Sequence, residues 1–138
     1  MKRILLLAAT LSLSAFAADL TITVKGVHSA DGSVFLAVYD SAASFMKPAL
    51  AKATRKATAA KGDIEFVIHD LPEGKYAVSS YHDENGNGKL DTGAFGIPTE
   101  GYGFSNNAQG SLGPPEFAQA VFEFDGRTAK SISFSLNY

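Results

Sequence analysis

The segment KSISFSL, residues 130–136, gives the clearest indication of fold in this sequence. Ile132, Phe134 and Leu136 alternate with serines, and a period of two is typical of a β-strand with one buried face and one exposed face. An Asp-Gly turn at residues 125–126 joins this segment to another apolar segment, residues 117–124. This part of the chain therefore predicts two strands joined by a turn.

Similar patterns occur along the rest of the chain. Residues 20–25 and 63–68 alternate in the same way, whereas residues 34–39 are apolar on both faces, as in a central strand. The turn LPEG, residues 71–74, leads into a further strand over residues 75–82. Short strands separated by turns predict an all-β fold, a single Ig-like or prealbumin-like β-sandwich of about seven strands.

Residues 41–61 do not follow this strand pattern. They are rich in alanine and lysine, and they predict a short helix around residues 42–50 that is interrupted by Pro48. Residues 55–60 have a second interpretation, as a strand that pairs with residues 64–68. Both interpretations are compatible with the sequence.

Residues 92–116 form the longest stretch without a periodic pattern. A loop of this length inside a compact domain is usually functional or disordered. Its hydrophobic side chains, Phe95, Ile97, Tyr102 and Phe104, argue against disorder. We therefore expect one long ordered loop that folds back over one end of the sandwich.

The first seventeen residues have the features of a secretory signal peptide. Lys2 and Arg3 precede an apolar stretch, and Ala15-Phe16-Ala17 matches a cleavage site. An uncleaved N-terminal anchor is the alternative. Cleavage would leave a β-sandwich domain over residues 18–138, periplasmic or secreted, with no membrane insertion after signal cleavage.

Composition excludes several classes of function. Without Lys2 and Arg3 the chain has ten basic and fourteen acidic residues, a net charge of −4. Such a chain lacks the basic surface that nucleic-acid binding requires, so no nucleic-acid partner is expected. It also has no cysteine, which excludes disulfides and thiolate metal sites.

The stretch YHDENGNGKLD, residues 81–91, has the spacing of a calcium-binding loop. Hard cations such as Ca²⁺ are bound by oxygen atoms, which alternate residues of a loop can supply. With Asp83 as the first position, Gly88 falls at the sixth, where a sharp turn requires glycine. The predicted metal ligands are side-chain oxygens and one backbone carbonyl, from Asp83, Asn85, Asn87, Lys89 (carbonyl) and Asp91.

This loop departs from the pattern at its twelfth position. Ala94 stands where a bidentate Glu would be expected, and no helix is predicted on either side. Glu100, backbone carbonyls or water would have to complete the shell. The alternative is a plain hairpin turn, because Asn-Gly, present at residues 85–86 and 87–88, is the strongest short hairpin signal.

The sequence does not indicate a catalytic site. One enzymatic alternative is a hydrolytic or carbohydrate-active protein that uses the rim formed by the 92–116 loop, with His82 as base and Ser105 as nucleophile. Another alternative is an envelope transport or assembly accessory protein that presents a sheet edge or a loop to a partner. The expected partner is a protein or saccharide ligand in the cell envelope.

Two motifs carry a family resemblance. The segments LPEGKYAVSSYHDENGNGKLD (residues 71–91) and GIPTEGYGFSNNAQGSLGPPEF (residues 96–117) resemble domain-of-unknown-function family 2141 of bacterial secreted proteins. The resemblance covers about residues 20–136 and implies export, one small β domain and no assigned biochemical activity. The LPEGKY segment also resembles prealbumin-like and carboxypeptidase-regulatory-like β-sandwiches, which supports the fold alone.

These inferences lead to one functional expectation. We expect an exported non-catalytic binding or structural β-sandwich module, in which a Ca²⁺ ion orders residues 83–91. No cofactor other than Ca²⁺ is expected.

Overall fold

The protein, described by a computed structural model over residues 17–138, consists of two β-sheets that share one hydrophobic core. Its eight strands are, in chain order, β1 (Leu20–Val27), β2 (Ser33–Tyr39), β3 (Ala53–Thr58), β4 (Gly62–Ile68), β5 (Gly74–Asp83), β6 (Tyr102–Phe104), β7 (Phe122–Phe124) and β8 (Lys130–Ser135). The predicted all-β sandwich is confirmed, with eight strands where about seven were expected. The predicted signal peptide lies outside the described residues, except for Ala17.

The smaller sheet has the strand order β4-β1-β8. The central strand β1 is antiparallel to β4 and parallel to β8, so that Ile22 lies opposite both Phe66 and Ile132. Alternation in these strands directs one row of side chains to the core, as the sequence predicted. Along β1, Leu20, Ile22 and Val24 are completely buried.

The larger sheet has the strand order β3-β2-β5-β6, and β7 also pairs with β5. The long strand β5 binds β7 through residues 74–76 and β6 through residues 79–81. Between those two pairings, the Ser105 hydroxyl accepts the N–H of Val78 at 2.9 Å. A side chain thus replaces a strand partner at this point of the sheet.

A second apolar cluster covers part of the outer face of the larger sheet. It contains Tyr39, Phe45, Ala77, Phe104 and Ala120, all of them buried. Phe45 comes from the segment between β2 and β3, and its ring packs edge-on against Tyr39 at a centroid distance of 5.5 Å. The larger sheet therefore buries residues on both faces, which explains why β2 is apolar on both.

Two expectations about secondary structure are wrong. Residues 42–50 form turns and a single 3₁₀ turn at Pro48–Leu50, because Met46 has a φ of +64° and Lys47, which precedes the proline, is extended. Residues 117–124 begin with one α-helical turn, α1 (Phe117–Ala120), before β7. Glu116 and Gln119 form a reciprocal capping box that stabilises this turn.

The partner of β3 also differs from the expectation. Residues 53–58 pair with β2, with Ala37 opposite Thr54, and not with residues 64–68. Residues 64–68 instead belong to β4 and pair with β1 across the sandwich. Within residues 17–138, no helix has the length and apolar character needed to cross a membrane.

Candidate cation-binding loop

Strand β5 places the first predicted ligand, Asp83, in the protein interior. Asp83 is the last residue of β5 and is only 2% exposed. Its carboxylate accepts the backbone N–H groups of Asn87 at 3.2 Å and Gly88 at 2.8 Å. Gly88 has a φ of +80°, a conformation that side chains disfavour, so the prediction of a turn glycine there is correct. The buried end of a strand therefore anchors the exposed loop.

The other predicted side-chain ligands gather around Asp91. The side-chain amides of Asn85 and Asn87 donate to the two carboxylate oxygens of Asp91, at 2.5 and 2.6 Å. These hydrogen bonds, that of Asn87 first, lower the pKa of Asp91 because they stabilise its charged form. The amide oxygens of Asn85 and Asn87 accept the backbone N–H groups of Asn87 and Lys89. The predicted ligands thus lie in one compact loop.

Glu100, named from the sequence as a candidate additional ligand, lies next to these predicted ligands. It is 6% exposed and accepts the backbone N–H of Asp91 at 3.4 Å. Burial raises the pKa of Glu100, and the negative charges of Asp91 and Asp83 raise it further. Glu100 comes just before β6, whose pairing with β5 brings this side chain back to the loop.

Basic side chains contribute little to the charge balance of these acidic groups, since the charge of Lys89 is the smallest of the causes acting on the pKa of Asp91. No Lys or Arg side chain in residues 17–138 forms a salt bridge with Asp83, Asp91 or Glu100. In the same part of the chain, no three His, Asp or Glu side chains are grouped closely enough to form a metal centre by themselves. A cation at this loop would therefore need amide and carbonyl oxygens as well. Rotating the side-chain amide of Asn85 or Asn87 by half a turn exchanges the positions of its nitrogen and oxygen, so the amide oxygen can point towards a cation.

The geometry of the loop also bears on the hairpin alternative. A type I′ turn needs a positive φ at both central residues. Gly86 and Gly88 have positive φ, whereas Asn85 and Asn87 do not, so neither Asn-Gly pair forms this turn. The loop is held instead by side chains that bond to its own backbone.

A small hairpin extends from the loop. Thr99 N–H donates to the Asp91 carbonyl at 2.9 Å, and Thr92 pairs with Pro98. The side chains at its tip, Phe95 and Ile97, are 101% and 64% exposed. The expectation that the hydrophobic residues of the 92–116 loop fold over the sandwich is thus correct for the buried Phe104 and incorrect for this tip.

His82 and Ser105 occupy separate hydrogen-bond networks. His82 is completely buried; its Nε2 donates to the Asp31 carbonyl at 2.6 Å and its Nδ1 accepts from the Tyr138 hydroxyl at 2.7 Å. Ser105 donates to the Ala120 carbonyl at 2.5 Å. Both side chains therefore connect parts of the fold, and neither hydroxyl nor imidazole bonds to the other.

Comparison with protein families identifies the chain. A family model matches residues 22–132, most of its length. The chain belongs to the family described as "Uncharacterized protein conserved in bacteria (DUF2141)". The resemblance seen in residues 71–91 and 96–117 is confirmed. Comparisons with curated proteins and with solved structures gave no match.

Proposed function

We propose that this protein is an exported, non-catalytic β-sandwich module whose loop at residues 83–91 binds Ca²⁺. The ligands are Asp83, Asn85, Asn87, Asp91 and Glu100, together with the Lys89 carbonyl. In this arrangement the ion joins the end of β5 to the hairpin at residues 91–99. The role of the ion is structural, because it sets the position of a loop on a rigid scaffold.

One observation carries this proposal: the negative charges of Asp91 and the buried Asp83 act on the buried Glu100 carboxylate, and no described Lys or Arg forms a salt bridge with any of the three. Burying a charged group without a partner is costly, and neighbouring negative charges add to that cost. The raised pKa of Glu100 reflects both effects. A divalent cation would remove the repulsion and use the carboxylates as ligands.

The chemistry of the donor set favours Ca²⁺ over other ions. Its oxygens come from carboxylates, amides and a carbonyl, which suit hard cations. Ca²⁺ accepts six to eight such ligands in flexible geometry, whereas Mg²⁺ requires near-ideal octahedral geometry. With few carboxylates the affinity should resemble that of weak extracellular sites, with a Kd of about 10⁻⁴–10⁻³ M.

Thermal melting of the chain from Ala18 tests the proposal. The midpoint is measured in chelator, in about 5 mM CaCl₂ and in about 5 mM MgCl₂. At ten times Kd, one ion bound only to the folded state stabilises it by about 1.4 kcal/mol. This free energy should raise the midpoint by about 5 °C for a domain of this size.

Two variants locate the effect. Asp83→Asn should lose most of the calcium-dependent rise, since it removes a buried anionic ligand. Glu65→Gln is the matched control, because Glu65 is an exposed carboxylate on β4, and it should keep the full rise. An equal rise in both variants, or an equal response to magnesium, would contradict calcium binding at this loop.

No second function is proposed. The hydrolytic interpretation needs His82 and Ser105 to act together, and their hydrogen bonds go to other groups. The accessory-protein interpretation needs a partner surface on an edge strand or loop. The edge strand β3 carries Arg55 and Lys56, charges of the kind that oppose edge-to-edge pairing.

A further inference from the structure

The outer face of the larger sheet has a trough that the second apolar cluster leaves uncovered. Its floor is a row of small side chains in register across three strands, with Ala37 opposite both Thr54 and Ser79. Alternate residues of a strand point to the same face, so the neighbouring rows on this face are two residues away, at Phe35 and Tyr81 on one side and at Tyr39 and Ala77 on the other. A row of small side chains between larger ones makes a depression.

Aromatic rings form the two sides of this trough. On one side the Phe35 ring stacks on the Tyr81 ring at a centroid distance of 5.1 Å. Lys56 Nζ lies 5.2 Å from the centroid of the same Phe35 ring. On the other side lies Tyr39, whose ring is contacted edge-on by Phe45. Because each ring is held by a neighbour, the trough keeps its shape without a ligand.

Two loops close its ends. Met46 and Pro48, from the segment between β2 and β3, form one wall, and residues 88–90 of the candidate cation-binding loop form the other. The Tyr81 hydroxyl donates to the Gly88 carbonyl at 3.1 Å and connects this second wall to the aromatic side formed by Phe35 and Tyr81. The trough is partly open, and its cavity volume is about 330 Å³, within the range of small-molecule sites.

The charge of the trough restricts its ligand. Its lining is mainly apolar; Lys89 is the charged residue among the described residues that line it, and Lys56, next to the Phe35 ring, is also cationic. A positive side chain at the edge of an apolar cavity favours a ligand with one anionic end and an apolar body. We propose that this trough binds a small amphipathic acid, with its apolar part over Ala37 and its anionic group at Lys89.

Fluorescence of anilinonaphthalene sulfonate, an aromatic molecule with one sulfonate, tests this assignment. The probe should bind the folded chain at one site. Octanoate should displace it more strongly than 1-octanol, which has the same chain without the charge. Both titrations are made in chelator and repeated in CaCl₂, so that binding at the trough is measured without the proposed cation and with it.

Three variants test the location. Ala37→Phe fills the floor and should weaken probe binding at least about ten-fold, a difference that single contacts in a pocket can produce. Thr23→Phe is the matched control, since Thr23 is a half-buried, outward-facing residue on the central strand of the other sheet. It should leave binding unchanged. Lys89→Ala should weaken octanoate binding about three-fold, as expected for a solvent-accessible charge pair, and leave 1-octanol unaffected.

The outcomes separate this inference from the proposed function. Equal loss in Ala37→Phe and Thr23→Phe would overturn it, as would equal displacement by octanoate and 1-octanol. Near-UV circular dichroism of each variant shows whether the fold is retained, so that probe bound to a loosened chain is recognised. Probe binding at the trough with no calcium-dependent melting would support the trough and refute the cation site.

Discussion

Replacing Ser105 with alanine tests whether this residue is part of the scaffold. Its side chain is 1% exposed and lies between the β6 and β7 pairings of β5. The hydroxyl accepts the Val78 N–H at 2.9 Å and donates to the Ala120 carbonyl at 2.5 Å. Val78 and Ala120 are both completely buried, so water cannot readily replace the lost partner.

The size of the effect follows from those two contacts. Leaving one buried polar group without a partner costs about 1–3 kcal/mol. Two groups lose their partner here, so we expect a loss of about 2–4 kcal/mol. This is a large fraction of the 5–15 kcal/mol that is typical of native proteins, yet the variant should still fold.

Urea denaturation followed by circular dichroism measures this loss. Ser133→Ala is the control, because Ser133 is an exposed serine on β8, and its unfolding free energy should change by less than about 0.5 kcal/mol. A loss below about 0.5 kcal/mol in Ser105→Ala would refute the scaffold role. Such a result would also return Ser105 to consideration as a reactive hydroxyl.

Two further predictions concern the loop and the β6 strand. Burial and the charges of Asp91 and Asp83 raise the folded-state pKa of Glu100, so its contribution favours folding below the unfolded pKa of about 4.3 and is lost as pH rises through the folded pKa. In chelator, Glu100→Gln should therefore gain stability relative to the unmodified chain as pH rises from about 4 to 7, measured by melting at each pH. A stability difference that stays constant with pH would contradict this. At neutral pH in CaCl₂ the advantage of Glu100→Gln should shrink or reverse. Gly103→Ala should lose about 1–3 kcal/mol in urea, because its Cβ would lie 2.4 Å from the Ser135 backbone oxygen. Gly113→Ala, whose Cβ meets open space, is its control, and equal losses would show that the close approach is not the cause.

The sequence by itself determined most of the strands and the local motif. Alternation at residues 20–25 and 130–136 depends only on which side chains must leave water, so it was visible without knowledge of any partner. The spacing of Asp83, Asn85, Asn87 and Asp91 is likewise local, and these side chains do gather in one loop. Glu100 could be named as a candidate, but its place depended on the pairing of β6 with β5.

Tertiary structure alone decided which strands pair and what the larger sheet carries outside the core. Nothing in residues 55–60 distinguishes pairing with β2 from pairing with β4, because each of these strands has a side on which a further strand can form hydrogen bonds. The burial of His82 and the row of Thr54, Ala37 and Ser79 likewise arise from register between distant segments. Periodicity reports which face of a strand is apolar, whereas register is set by packing between residues far apart in the chain.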